Sequence, residues 1–97
     1  MEKMRSYSVL FIIDPSKEDV MDSVKNDIRT VVTENSGSVV EEKVMGKKAL
    51  AYPIRKKPEG IYYEIVMNAV PATMEKVTKQ FQIRPEIMRT MISSASK

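Results

Sequence analysis

Between residues 42 and 57 the sequence places Lys43, Lys47, Lys48, Arg55, Lys56 and Lys57 against a single acid, Glu42. Tyr52, Tyr62 and Tyr63 fall in or beside the same stretch. Ammonium and guanidinium groups seek phosphate, and phosphate contacts supply most sequence-independent affinity for nucleic acid. Ring faces can stack bases, worth ~1–3 kcal/mol per base where stacking occurs. The alternative for these residues is a solvated turn with tyrosines buried in a sheet, and Tyr7 and Tyr52 individually read as packing residues. A second cationic group, Arg84 and Arg89 with Arg5 on a neighbouring strand, offers forks suited to bidentate phosphate contact. Those arginines could equally pair with Glu86 or Glu2 at the surface.

Other chemistries are poorly supplied. The chain has no histidine and no cysteine. That removes the usual general base near neutral pH, the commonest zinc ligands, thiol nucleophiles and any serine–histidine–aspartate triad. No carboxylate pair stands out from a solvated helix face, and the scattered methionines form no cofactor box; Met21, Met67 and Met74 read as core filler. Neither a cofactor nor a small-molecule substrate is expected.

The elements that must carry these residues follow from periodicity. Tyr7, Val9, Phe11 and Ile13 alternate with Ser6, Ser8, Leu10 and Ile12, which predicts a strand over 5–13 with the first set facing the core. Asp14-Pro15-Ser16 stops it. Ser16 is the expected N-cap of a helix of about five turns, with Glu18 and Asp19 near its positive end and Val20, Val24, Ile28 and Val31 as its buried stripe. Asn35-Ser36-Gly37 ends the helix, with the glycine expected in the left-handed conformation.

From Ser38 an extended segment runs through Gly46, a candidate bulge, to Pro53, which suits an edge strand. Lys56 to Gly60 reads as a turn, and Ile61 to Met67 as the strongest strand in the chain. Pro71 is placed for the first position of a second helix, whose buried stripe is Met74, Val77 and Phe81. Ile87 to Ile92 reads as a last strand, followed by a short frayed tail.

The order is βαββαβ. Right-handed crossovers put both helices on one face of a four-stranded antiparallel sheet, a ferredoxin-like α+β fold. The other face then faces solvent or a partner. Acylphosphatase-like enzymes share this fold class, but Asp14-Pro15-Ser16 lacks the glycines of a phosphate-cradling loop and adds an anion. The RNA-recognition module shares the topology too, but Ser6, Ser8, Leu10 and Ile12 make no stacking platform. A standalone regulatory or protein-interaction domain, dimerising through the open sheet face, is the alternative reading.

At 97 residues the chain has room for one domain, with a folded core expected over about 4–93. The formal net charge is only +3, so the distribution of charge matters more than its sum. No stretch approaches the ~18 apolar residues that would cross a bilayer. The apolar run Val9 to Ile13 is too short for a signal-peptide core and no small-residue cleavage site follows it. The missing cysteines suit a reducing compartment, so a cytosolic protein without membrane contact is expected.

The stretch Gly46-Lys47-Lys48-Ala49-Leu50-Ala51-Tyr52-Pro53-Ile54-Arg55-Lys56, followed by Glu59-Gly60-Ile61-Tyr62-Tyr63, resembles the signature of the bacterial small-subunit ribosomal protein number six family. Met4-Arg5-Ser6-Tyr7-Ser8-Val9 with Asp14-Pro15 is similar to that family's start, and Phe81-Gln82-Ile83-Arg84 with Ile87-Met88-Arg89 to its last helix–strand junction. The likeness spans roughly residues 4–92. Pro85 departs from the acidic or polar residue of many relatives, and the tail is shorter than in some.

The resemblance implies the split βαβ fold and a structural place in the small ribosomal subunit, in the cytoplasm. It implies binding of small-subunit ribosomal RNA together with small-subunit protein number eighteen. On this reading Arg5, Lys47, Lys48, Arg55, Lys56, Lys57, Arg84 and Arg89 are the RNA-binding candidates. Leu10, Ile12, Tyr62 and Met91 are the candidates for the protein partner.

Overall fold

The structure, a computed structural model, describes residues 3–54 and 56–94. Strand β1 (Arg5–Ile13) leads through a 3-10 segment (Pro15–Val20) into helix α1 (Met21–Glu34). Strands β2 (Ser38–Ile54) and β3 (Lys57–Ala69) form a long hairpin, and helix α2 (Pro71–Gln82) returns the chain to β4 (Ile87–Ser94). The sheet order is β2-β3-β1-β4 with every pairing antiparallel. This is the ferredoxin-like arrangement that the element order predicts.

Alternation along β1 and β3 sends Val9, Phe11 and Ile13, with Ile61, Tyr63, Ile65 and Met67, to one face. Val24, Ile28, Val31 and Val32 of α1 and Met74, Val77 and Phe81 of α2 join the same cluster, so both helices cover that face. Phe11 sits at its centre, its ring edge-on to Phe81 with centroids 4.9 Å apart and stacked on Tyr63 at 5.9 Å. Apolar burial of this kind is worth ~1.5–3 kcal/mol per large side chain. Tyr7 packs half-buried against the cluster, as expected of it.

The first helix departs from expectation at both ends. Its start is a 3-10 segment capped by Asp14, whose carboxylate accepts the Ser16 backbone N–H at 2.9 Å. Ser16 is therefore capped rather than capping, because Pro15 already occupies the first turn and sets its φ. At the far end the left-handed residue is Ser36 (φ +66°), not Gly37. Gly37 N–H reaches Val32 C=O at 2.9 Å and Ser36 N–H reaches Thr33 C=O at 3.2 Å, closing both orphan carbonyls. Pro71 stands at the start of α2 as expected. The last strand runs beyond Ile92, with Ser93 and Ser94 pairing with Ser8 and Tyr7; Ala95 to Lys97 of the expected tail lie outside the described residues.

β2 is interrupted three times. Register shifts fall between Val39 and Glu41, between Val44 and Gly46, and between Ala49 and Ile54. Gly46 has φ +89°, the left-handed backbone that makes the middle shift cheap. The last shift is the largest. Ala49 pairs with Glu59 and Ile54 with Lys57, so Leu50, Ala51, Tyr52 and Pro53 face only Pro58 across the hairpin. The chain reverses at Lys56 (φ +64°), and Gly60, expected in the turn, lies inside β3.

Candidate nucleic-acid and partner interface

On the sheet face opposite the helices, paired residues point the same way. Leu10 sits opposite Met91, Ile12 opposite both Arg89 and Tyr62, and Ser8 beside Glu64 through a 3.0 Å hydrogen bond. Leu50 to Pro53, four residues against one in β3, cannot lie flat in the ladder. Together with Ile54 they form a wall over this face, and with Ile12, Tyr62, Arg89 and Met91 they enclose an open groove of about 280 Å³. The groove is apolar at its floor and carries a guanidinium on one side.

Lys48 enters from the hairpin side. It pairs with Gly60 in the ladder, and its ammonium lies 5.8 Å from the centre of the Tyr62 ring, within cation–π range. Tyr52 projects from the wall and is 83% exposed. That reverses its expected packing role, because the bulge lifts it off the sheet. Tyr63, read from sequence as a candidate ring face, is fully buried in the core. Its hydroxyl lies near the Arg29–Glu42 pair without a well-formed hydrogen bond among the described residues, and burial, reinforced by the nearby Glu42 charge, pushes its pKa up to about 12. Arg29 donates to both oxygens of Glu42, the Nε bond measuring 2.6 Å. That pairing holds the Glu42 carboxyl below its ordinary range and raises the Arg29 pKa.

The eight RNA-binding candidates do not form one patch. Lys48 and Arg89 belong to the groove face and Lys56 to the exposed hairpin tip. None of the three makes an ion pair with another described residue. Lys47 pairs with Ile61, a core-facing position, and so projects to the helix side, where its ammonium lies 3.7 Å from Glu18. Lys57 lies 3.2 Å from Asp14. Arg84 follows α2 and lies 3.9 Å from Asp27 of α1. Arg5 begins β1, whereas Arg89 pairs near its end, so at ~3.3 Å per residue the two lie roughly 20 Å apart along the sheet. Arg55 lies outside the described residues.

Among the partner candidates, Leu10 and Tyr62 are half-buried and Met91 is 38% exposed. Ile12 is on the expected face but only 3% exposed. An added Cβ at Gly60 would fall 2.4 Å from Ile12 Cγ2 and 3.3 Å from Met88 Cε, so β3 and Met88 close over the side chain. Ile12 shapes the floor and offers little surface of its own. Reading the sequence alone misses the wall formed by Leu50 to Ile54 and the two acids, Asp14 and Glu18, that meet the hairpin lysines. The excess of β2 residues over β3 residues is the signal for the wall. The acids leave no local signal.

A known family matches nearly the whole of the chain. The family described as Ribosomal protein S6 matches residues 6–94. The chain belongs to the ribosomal protein S6 family. The small ribosomal subunit protein bS6 of Cutibacterium acnes is 40% identical over 90 residues, covering 92% of this chain and 94% of that protein. Its counterpart in Paenarthrobacter aurescens is 37% identical, covering 92% and 89%. The crystal structure of 30S ribosomal protein S6 from Thermotoga maritima superposes with a TM-score of 0.87 at 26% identity, covering 95% of this chain and 88% of that one. The C-terminal domain of the MgtC protein from Mycobacterium tuberculosis shares the fold alone, with a TM-score of 0.66 at 16% identity.

The ribosomal protein S6 family is a small-subunit family of structural components, so its members work with the ribosome in the cytoplasm. Among the described residues, no helix is long and apolar enough to cross a membrane.

Proposed function

We propose that this chain, acting as one domain over about residues 4–93, binds small-subunit ribosomal RNA jointly with small-subunit protein number eighteen and does no catalysis. One observation supports the reading most directly. A sheet face bare of helices joins an apolar groove (Tyr62, Met91 and the Leu50–Ile54 wall, with Leu10 beside Met91 on the same face) to cations that no carboxylate among the described residues engages, Lys48 and Arg89 on the face and Lys56 at the tip. An apolar strip seats a protein partner, and adjacent unpaired cations continue the surface to phosphate. The division between strip and cations matches a joint interface better than RNA binding alone.

The test is reconstitution of the chain and its protein partner on small-subunit ribosomal RNA across a salt series. If Lys48, Lys56 and Arg89 each neutralise one phosphate, replacing all three by alanine should flatten the salt slope by about 2 at ~0.7 per contact. Leu10→Glu with Met91→Glu should abolish partner capture while the salt-dependent component persists. Unchanged RNA binding in the first variant would overturn the assignment of the cations. Unchanged partner capture in the second would overturn that of the groove.

A further inference from the structure

Two lysines of the basic hairpin are already engaged by acids from a different part of the chain. Lys57 Nζ lies 3.2 Å from Asp14 Oδ1, with the two side chains 38% and 16% exposed. Lys47 Nζ lies 3.7 Å from Glu18 Oε1, at 38% and 61%. Both acids come from the short segment between β1 and α1, which the sheet topology carries beside the hairpin. We propose that Asp14 and Glu18 are specificity-determining residues, which mask Lys57 and Lys47 from arbitrary polyanions so that only an RNA presenting phosphates in the right places displaces them. The inference rests on the hairpin's proposed role in RNA binding.

The two acids differ in strength. Asp14 is held in place by the Ser16 N–H at 2.9 Å, and its own N–H donates to Glu86 C=O at 2.9 Å, so it has little freedom to swing away. Its carboxyl is held below the ordinary range, first by that Ser16 bond and further by Lys57, so it stays charged at neutral pH. Glu18 is more exposed and its pair longer, so it is the weaker mask. A phosphate that approaches either lysine meets the repulsion of a carboxylate already beside it and must share or replace that contact. A loose, non-specific complex in high dielectric gains little from that exchange, whereas a docked RNA with its protein partner in place gains the full contact. Repelling the wrong ligand is a recognised route to specificity.

The experiment uses the full chain and a fluorescently labelled uridine homopolymer, with affinity read by anisotropy over a salt series. Asp14→Asn keeps an oxygen for the Ser16 N–H and removes the charge; Glu18→Gln does the same for the second pair. The double variant should bind the homopolymer about tenfold more tightly near 0.1 M salt, with a slope steeper by about 1.4, two contacts at ~0.7 each. Adding Lys47→Ala and Lys57→Ala should reverse the gain. Glu34→Gln with Glu75→Gln, exposed helix acids with no ion pair among the described residues, supplies the same change in net charge and should leave the slope unchanged. Equal gains in this control, or no gain in the double variant, would overturn the masking proposal. If Asp14→Asn perturbs the circular dichroism spectrum, Glu18→Gln alone decides, with about half the change in slope expected and none overturning the proposal. Failure of the ribosomal RNA reconstitution would be a separate result, because the homopolymer reports masking whether or not ribosomal RNA is the natural ligand.

Discussion

Gly60→Ala puts a number on the close approach that builds the groove floor. Gly60 lies in β3 without a left-handed φ, so alanine is acceptable to the backbone there. On backbone grounds alone the substitution would stabilise by about 0.4–1 kcal/mol, by narrowing the unfolded ensemble. The added Cβ, however, would stand 2.4 Å from Ile12 Cγ2. Ordinary carbon–carbon contact is about 3.5–4.0 Å, so one of the two must move by more than ~1 Å. Ile12 is 3% exposed and cannot swing into solvent, and Met88 Cε already stands 3.3 Å from the new atom. Overpacking of this kind costs about 1–3 kcal/mol, so the net expectation is a destabilisation of about 1–2 kcal/mol. With a urea m-value near 2 kcal/mol/M, the midpoint should fall by about 0.5–1 M. The cycle is completed by Ile12→Leu, which deletes the clashing branch methyl at nearly constant volume and alone should cost less than about 1.5 kcal/mol. In the double variant most of the Gly60→Ala cost should disappear, a coupling of about 1–2 kcal/mol between the two sites. A Gly60→Ala protein as stable as the parent, or a cycle with no coupling, would refute the packing of β3 over Ile12.

The Tyr63 pKa, raised to about 12, means its stabilising contribution is complete below the ordinary tyrosine value near 10 and is lost as pH rises towards 12. Urea stability should therefore fall by up to about 3 kcal/mol across that window. Tyr63→Phe should remove most of that fall; an identical alkaline profile would show that another group is responsible. Asp14 has a lowered pKa, so its contribution is complete above the ordinary carboxylate range and is lost as pH falls through the depressed folded value. Asp14→Asn should make the acid limb of the stability–pH curve shallower, which acid titration followed by circular dichroism measures. Phe81→Ala, at a fully buried ring edge-on to Phe11, should cost about 3–5 kcal/mol in equilibrium unfolding.

Much of the architecture was legible from residue order. The two-residue alternation of Tyr7 to Ile13, the three- and four-residue spacing of Val24, Ile28 and Val31 and of Met74, Val77 and Phe81, and the position of Pro71 are local patterns, and each produced the element it predicts. Their order along the chain then leaves few ways to pack two amphipathic helices on an antiparallel sheet. The sequence pattern puts the cap and the left-handed residue at Ser16 and Gly37, one or two residues from their places at Asp14 and Ser36, because neighbouring Asp/Ser and Ser/Gly pairs compete for each role and the turn geometry chooses.

What only the tertiary structure decided concerns parity and distance in space. Neighbouring Lys47 and Lys48 must point to opposite sides of a strand, but the register shifts in β2 decide which side each takes and lift Tyr52 off the sheet, while the pairing of β3 with β1 carries Tyr63 into the core. A cluster of lysines in the sequence thus becomes two kinds of lysine. Lys48 and Lys56 stand without carboxylate partners among the described residues, whereas Lys47 and Lys57 meet Glu18 and Asp14 from about thirty to forty residues away. Composition can count charges, but charges interact through space, and only the strand pairing sets which of them meet.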